Sequence, residues 1–119
     1  MANIYTNVKA DLTTNSNTTI FTVPASTTAI VKSFIVSNDS GSNDTIEIQI
    51  SDVSDGVFNL FKSETINANS TVDLLTNPLI LTENEKIKVT ATTADRLHVI
   101  LSMLHLNRAY LWHLKKKDR

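Results

Sequence analysis

Three imidazoles, His98, His105 and His113, are the groups in this chain best suited to moving a proton or holding a metal, and their spacing decides whether they could act together. On one continuous helix those positions would fall near a single face. His98, however, lies in a segment that alternates like a strand, so that geometry is not available. A Ser-His-Asp relay can be drawn from any chain this rich in Ser and Asp, but no Gly-x-Ser-x-Gly elbow singles out a nucleophile. Asp39, Asp44, Asp52 and Asp55 fall in two loops that could share one end of a sandwich and offer carboxylates to calcium. Their spacing matches no EF-hand loop and lacks its terminal glutamate, so solvated turn residues are the simpler reading. Glu64, Glu83 and Glu85 form no pair at a defined separation. Two glycines leave no loop to cradle phosphate, and the absence of cysteine removes thiolate nucleophiles and Cys-ligated zinc or iron–sulfur sites. No catalytic, metal or cofactor site is expected.

What remains is recognition. Tyr110, Trp112 and the run Lys115, Lys116 and Lys117 combine aromatics with the chain's one block of like charge. Such a segment can anchor at a lipid interface, grip nucleic acid, or enter a protein pocket with an acidic rim. It could equally be a solubilising tail. It is too short for stable membrane binding, and three lysines hold phosphate weakly, which favours a protein partner. A net charge of -1 argues against nucleic acid as the main partner, and no apolar run approaches a membrane helix. Ile4 and Tyr5, in an otherwise polar N-terminal stretch, are the matching candidates at the other end.

The elements that must position these groups are strands. Ile46-Glu47-Ile48-Gln49-Ile50 places isoleucines on one face and polar residues on the other, as a half-buried strand does. Lys86 to Thr92 alternates in the same way, with Ile87, Val89 and Ala91 inside. Ala29 to Ser37 is apolar on both faces and reads as a central strand covered on each side. Leu97 to Leu104 is the most apolar run. Shorter strands are expected at Thr18 to Val23, stopped by Pro24, at Val57 to Lys62, at Thr71 to Leu75 and at Leu79 to Leu81. Turn signals every ~8–12 residues indicate seven or eight antiparallel strands.

At 119 residues the chain has room for one domain. The expected class is all-β, a single antiparallel sandwich of jelly-roll or immunoglobulin-like type. Residues 1–17 read as an extended arm or irregular first strand, 18–104 as the sandwich, and 105–119 as a basic tail that could form a short helix. About a third of the residues are Ser, Thr or Asn, which suit strand faces and turns. The N-terminus has neither a basic nor an apolar signal region, so synthesis in a cytoplasm is expected.

The segment Ile20-Phe21-Thr22-Val23-Pro24-Ala25-Ser26-Thr27-Thr28-Ala29-Ile30-Val31, followed by Phe34-Ile35-Val36-Ser37-Asn38, resembles a pattern recurrent in small structural proteins of tailed bacteriophages. The later half, Leu79-Ile80-Leu81 to Lys86-Ile87-Lys88-Val89, is similar to theirs as well, so the resemblance spans roughly residues 18 to 104. This chain departs from the pattern at Ser26, where such proteins place a turn glycine, and in its longer tail, whose role is not carried over. The resemblance implies a non-enzymatic virion component made in a host cytoplasm. Its partners would be further copies of itself and a major capsid, neck or tail protein; the two unanchored termini lead to the separate expectation of symmetric, trimeric or ring-like assembly.

Overall fold

The computed structural model describes residues 3–107. Among them are nine strands: β1 (Asn3–Asp11), β2 (Thr18–Thr22), β3 (Thr27–Asn38), β4 (Asp44–Ser51), β5 (Val57–Ile66), β6 (Ser70–Asp73), β7 (Leu79–Leu81), β8 (Lys86–Ala91) and β9 (Leu97–Asn107). Sheet A has the order β1-β9-β3-β6, with β7 also pairing to β3, and sheet B the order β2-β8-β4-β5. Every pairing is antiparallel. Only β4 and β5 are neighbours both in the chain and in a sheet. With β6 and β7 counted as one interrupted strand, this is the order of an eight-stranded jelly roll, which decides between the two expected sandwich types.

Alternation explains what each strand buries. Leu97, Val99, Leu101 and Met103 of β9 face Ile46 and Ile48 of β4 and Ile87, Val89 and Ala91 of β8 across a core in which each is at most 2% exposed. Each large aliphatic side chain placed there contributes roughly 1.5–3 kcal/mol. β3 breaks its own alternation: Ala29 and Val31 point inward, then Phe34 and Val36 do. A bulge between Val31 and Ser33 causes the change of parity, inserting Lys32 on the outer side. The strand therefore looks apolar on both faces partly because its inward set switches from odd to even positions.

Asn38 ends β3 and is 1% exposed. Its Nδ2 donates to the Ser42 and Ile66 carbonyls, at 2.9 and 3.0 Å, and its Oδ1 accepts from the Ser40 N–H and hydroxyl. One buried amide thus holds the β3–β4 loop and ties sheet A to the end of β5 in sheet B. Five turn residues adopt left-handed φ: Ser26 (57°), Asp55 (64°), Asn69 (54°), Asn84 (68°) and Asp95 (65°). Four are Asn or Asp, which tolerate this region; Ser26, which stands where the resemblance expects glycine, is the exception. Gly56 fits its turn for a different reason. A Cβ there would lie 2.8 Å from Asp52 Oδ2, whose carboxylate accepts the Gly56 N–H through Oδ1 at 2.8 Å.

Three expectations are revised. Asn3–Asp11, expected within an extended arm or irregular first strand, is a regular edge strand registered against β9 from Asn3↔Leu106 to Asp11↔His98. Its inward positions hold the small residues Val8 and Ala10, both packed on the core, a signal diluted by surrounding Asn and Thr. At the other end, β9 continues to Asn107, so His105 belongs to the sandwich rather than to a tail. Finally, the strand count among the described residues rises to nine because Asn3–Asp11 joins sheet A; the two short strands opposite β3 remain separate, with Pro78 in the gap between Asp73 and Leu79.

Candidate functional site

β1 places Ile4 and Tyr5 on opposite faces of sheet A. Ile4 shares the face of its partner His105, beyond the end of the core, and is 55% exposed. Tyr5 points outward and is 75% exposed. The other expected recognition residues, Tyr110, Trp112, Lys115, Lys116 and Lys117, lie outside the described residues, as does His113.

Register extends Tyr5 into a larger feature. Tyr5 stands opposite Leu104 of β9, Leu104 opposite Ile30 of β3, and Ile30 opposite Ile80 of β7. Directly opposed residues share a face, so these four side chains form an apolar row across the whole width of sheet A on its solvent side. Ile80 is 63% exposed, and Leu104 and Ile30 are half-buried. A second pair on the same face, Ile35 opposite Ile100, lies further along the strands. Beside Tyr5 the bulged Lys32 sets its Nζ 5.9 Å from the ring centroid. Tyr5, Asn7, Lys32 and Ser102 line a shallow open groove of about 300 Å³ there. The expectation that β3 is covered on each side fails here: nothing among the described residues packs on this outer face.

The outer face of sheet B is different. Asn17 Nδ2 donates to Gln49 Oε1 at 3.2 Å and Thr90 Oγ1 at 3.0 Å, and Gln49 Nε2 donates to Asn59 Oδ1 at 3.0 Å. The Thr45 and Thr92 hydroxyls are hydrogen-bonded to each other. These groups satisfy one another across the strands and leave no apolar row. Val53, Val57 and Phe58 are individually exposed in or beside the Asp52–Gly56 turn, with Phe58 on the face of its partner Ile50 and Val57 on that of Ser51.

The histidines are kept apart by the fold. His98 lies on the outer face of sheet A, with Nδ1 3.4 Å from Asp11 Oδ1 and Nε2 3.2 Å from Asp39 Oδ2. Ser37 is its cross-strand neighbour. Both ring nitrogens face carboxylates, so neither is directed at that hydroxyl, and no Ser-His-Asp relay is formed. His105 packs against Phe21 of sheet B with ring centroids 5.7 Å apart, and burial pushes its imidazole below the ordinary value of 6.5. The aspartate loops do not share one end of the sandwich: Asp39 and Asp44 precede or begin β4, while Asp52 and Asp55 follow its other end. Asp52 is occupied in accepting the Ser54 and Gly56 N–H groups. Among the described residues no three His, Asp or Glu side chains converge in a way that could hold a metal.

The geometry defines a class: a jelly-roll sandwich in which one outer face is polar and the other carries an apolar row among polar residues. No family model and no curated protein matches the chain. Among solved structures, a chain from Bacillus endospore appendages, a family of disulfide-linked pili, is similar at TM-score 0.56 and 11% identity, covering 89% of this chain and 88% of that one. That likeness establishes the fold. Two capsid chains are more distant. A pentameric capsid protein from metagenomic phage sequences has a TM-score of 0.41 and 15% identity, covering 91% of this chain and 65% of that one. The extra small virus particle of the prawn Macrobrachium rosenbergii has a TM-score of 0.39 and 13% identity, covering 87% and 76%. Neither adds to the argument.

Proposed function

We propose that this chain is a non-enzymatic structural protein of a tailed-phage virion that assembles in several copies, most concretely a capsid decoration or cement subunit. Attachment at the neck or tail is a variant of the same reading. The observation that supports it is the apolar row on the outer face of sheet A, which adjoins the edge of β1, unpaired among the described residues. An exposed apolar surface of this kind on a rigid scaffold marks an interaction site, and the free edge of β1 offers backbone groups to a further strand. The pilus protein of like fold is described as disulfide-linked; with no cysteine, copies of this chain would be joined by such surfaces alone. The test combines the mass of the full chain by light scattering with co-sedimentation on expanded empty phage heads. An oligomer that joins heads is the expected result. A single-chain mass with no binding to heads would overturn the decoration reading.

A second reading, a module that binds carbohydrate or a host receptor, draws on Phe58. It is 61% exposed beside the Asp52–Gly56 loop, and an exposed aromatic is what a sugar face stacks on. Glycan binding abolished by Phe58→Ala would favour this reading over assembly.

A further inference from the structure

We infer that the row Tyr5–Leu104–Ile30–Ile80 is the docking site for residues 110–117 of a second copy of this chain. The inference deepens the self-assembly reading above and rests on it. Its first support is fit. The row crosses four strands, hence three inter-strand spacings of ~4.8 Å, or about 14 Å. From Tyr110 to Leu114 an extended chain spans ~13 Å, and it would turn Tyr110, Trp112 and Leu114, at i, i+2 and i+4, toward one side. Three large apolar groups thus meet an apolar strip of the same length.

Reach separates a second copy from the chain's own tail. Asn107, the last described residue of β9, lies three positions past Leu104. To lie over its own row, the chain must return ~10 Å along the strand and rise a packing layer of ~10 Å, about 14 Å in all. Tyr110 is three residues beyond Asn107 and reaches at most ~11 Å. A chain docking on itself therefore loses Tyr110, whereas a neighbour's segment can place all three side chains.

Charge sets the direction. Lys32 sits at the Tyr5 end of the row. The favoured direction puts Tyr110 near Tyr5 and turns Lys115, Lys116 and Lys117 away from that like charge, toward the Ile80 end. Because the tail and the row are different patches, the contact is head-to-tail, the kind that closes into rings when the rotation allows.

Complementation between two variants of the full chain tests this. Ile80→Lys blocks the row and Trp112→Ala blocks the tail; Tyr5→Ser, at a still more exposed site, stands in for the first should it fold poorly by far-ultraviolet circular dichroism. Each variant alone is expected to weaken self-association more than about tenfold and to run at the mass of one chain. Mixed in equal amounts, they are expected to form a two-chain complex, since one brings an intact row and the other an intact tail. Trp112, the only tryptophan, then comes from the Ile80→Lys chain alone, and its emission moves to shorter wavelength on mixing. A mixture that remains single chains, variants that keep the wild-type mass, or a shielded Trp112 in a single wild-type chain would each overturn the inference. Head binding is measured separately: complementation without it sinks the virion reading and leaves the docking site standing.

Discussion

The outer faces of the two sheets are made from strands of the same sandwich and pack on the same core, yet they solve opposite problems. On sheet B, Asn17, Gln49, Asn59 and Thr90 form a hydrogen-bonded ladder whose members satisfy one another. On sheet A, Tyr5, Leu104, Ile30 and Ile80 line up in register with nothing among the described residues above them. The first face is complete by itself and the second is not. The two sheets share one core, and it is on their outward positions that the contrast between a hydrogen-bonded polar face and an uncovered apolar row lies.

The comparison requires the inward faces to be equivalent, which the largest expected effects test. Phe34→Ala under sheet A should cost about 3–5 kcal/mol and Ile48→Ala under sheet B about 2–5 kcal/mol in urea unfolding, since both side chains are fully buried. A loss confined to one of them would mean that the sheets do not share a core. At the seam between the sheets, Asn38→Ala removes all four hydrogen bonds of its amide and should cost about 2–3 kcal/mol. On the outer faces the expectations diverge. Asn17→Ala on sheet B should destabilise by about 0.5–1 kcal/mol. Ile80→Thr on sheet A, 63% exposed, should change single-chain stability by less than about 0.5 kcal/mol while weakening self-association. Equal and small effects on assembly from both would erase the distinction. Opposite in sign, Ser26→Gly should stabilise by roughly 0.5–1 kcal/mol, because glycine relieves the left-handed backbone at no steric cost.

The smallest expected effect is electrostatic and sits between the sheets. Burial lowers the His105 pKa from its ordinary 6.5, so the folded chain takes up that proton at lower pH than the unfolded chain does. The stability this favours is fully present above the unfolded value and is lost as the pH falls through the depressed folded value. Urea midpoints compared between about pH 7.5 and about pH 5 should fall less for His105→Gln than for the wild type.

Much of the sandwich was legible because alternation and turn residues are local. β4, β8 and β9 announce themselves through period-two isoleucine, valine and leucine, and Pro24 and Pro78 mark true interruptions. β1 was less visible, since an edge strand with one partner needs few apolar residues and only Val8 and Ala10 reach the core. The bulge at Lys32 left no signature beyond an apparent excess of apolar residues in Ala29 to Ser37. That excess was nonetheless informative: part of it is the parity switch, and the rest, Ile30 and Ile35, is the uncovered face. The apolar row itself could not be read, because Tyr5, Ile30, Ile80 and Leu104 are far apart in sequence and meet only through register. Of the anticipated recognition residues, Tyr5 falls in the row, whereas Ile4 points away from it.

The interruption between β6 and β7 also matters for how safely such a chain can exist at high concentration. Asp73 Oδ1 accepts the Phe34 N–H at 3.0 Å, standing in for a backbone carbonyl where the strand is missing. The margin of sheet A on that side is thus a broken line of short pieces, unable to template a continuous ladder, whereas the β1 margin, unpaired among the described residues, runs unbroken from Asn3 to Asp11. A sheet with one interrupted margin offers a single continuous edge to an added strand, which limits runaway edge-to-edge pairing at high concentration.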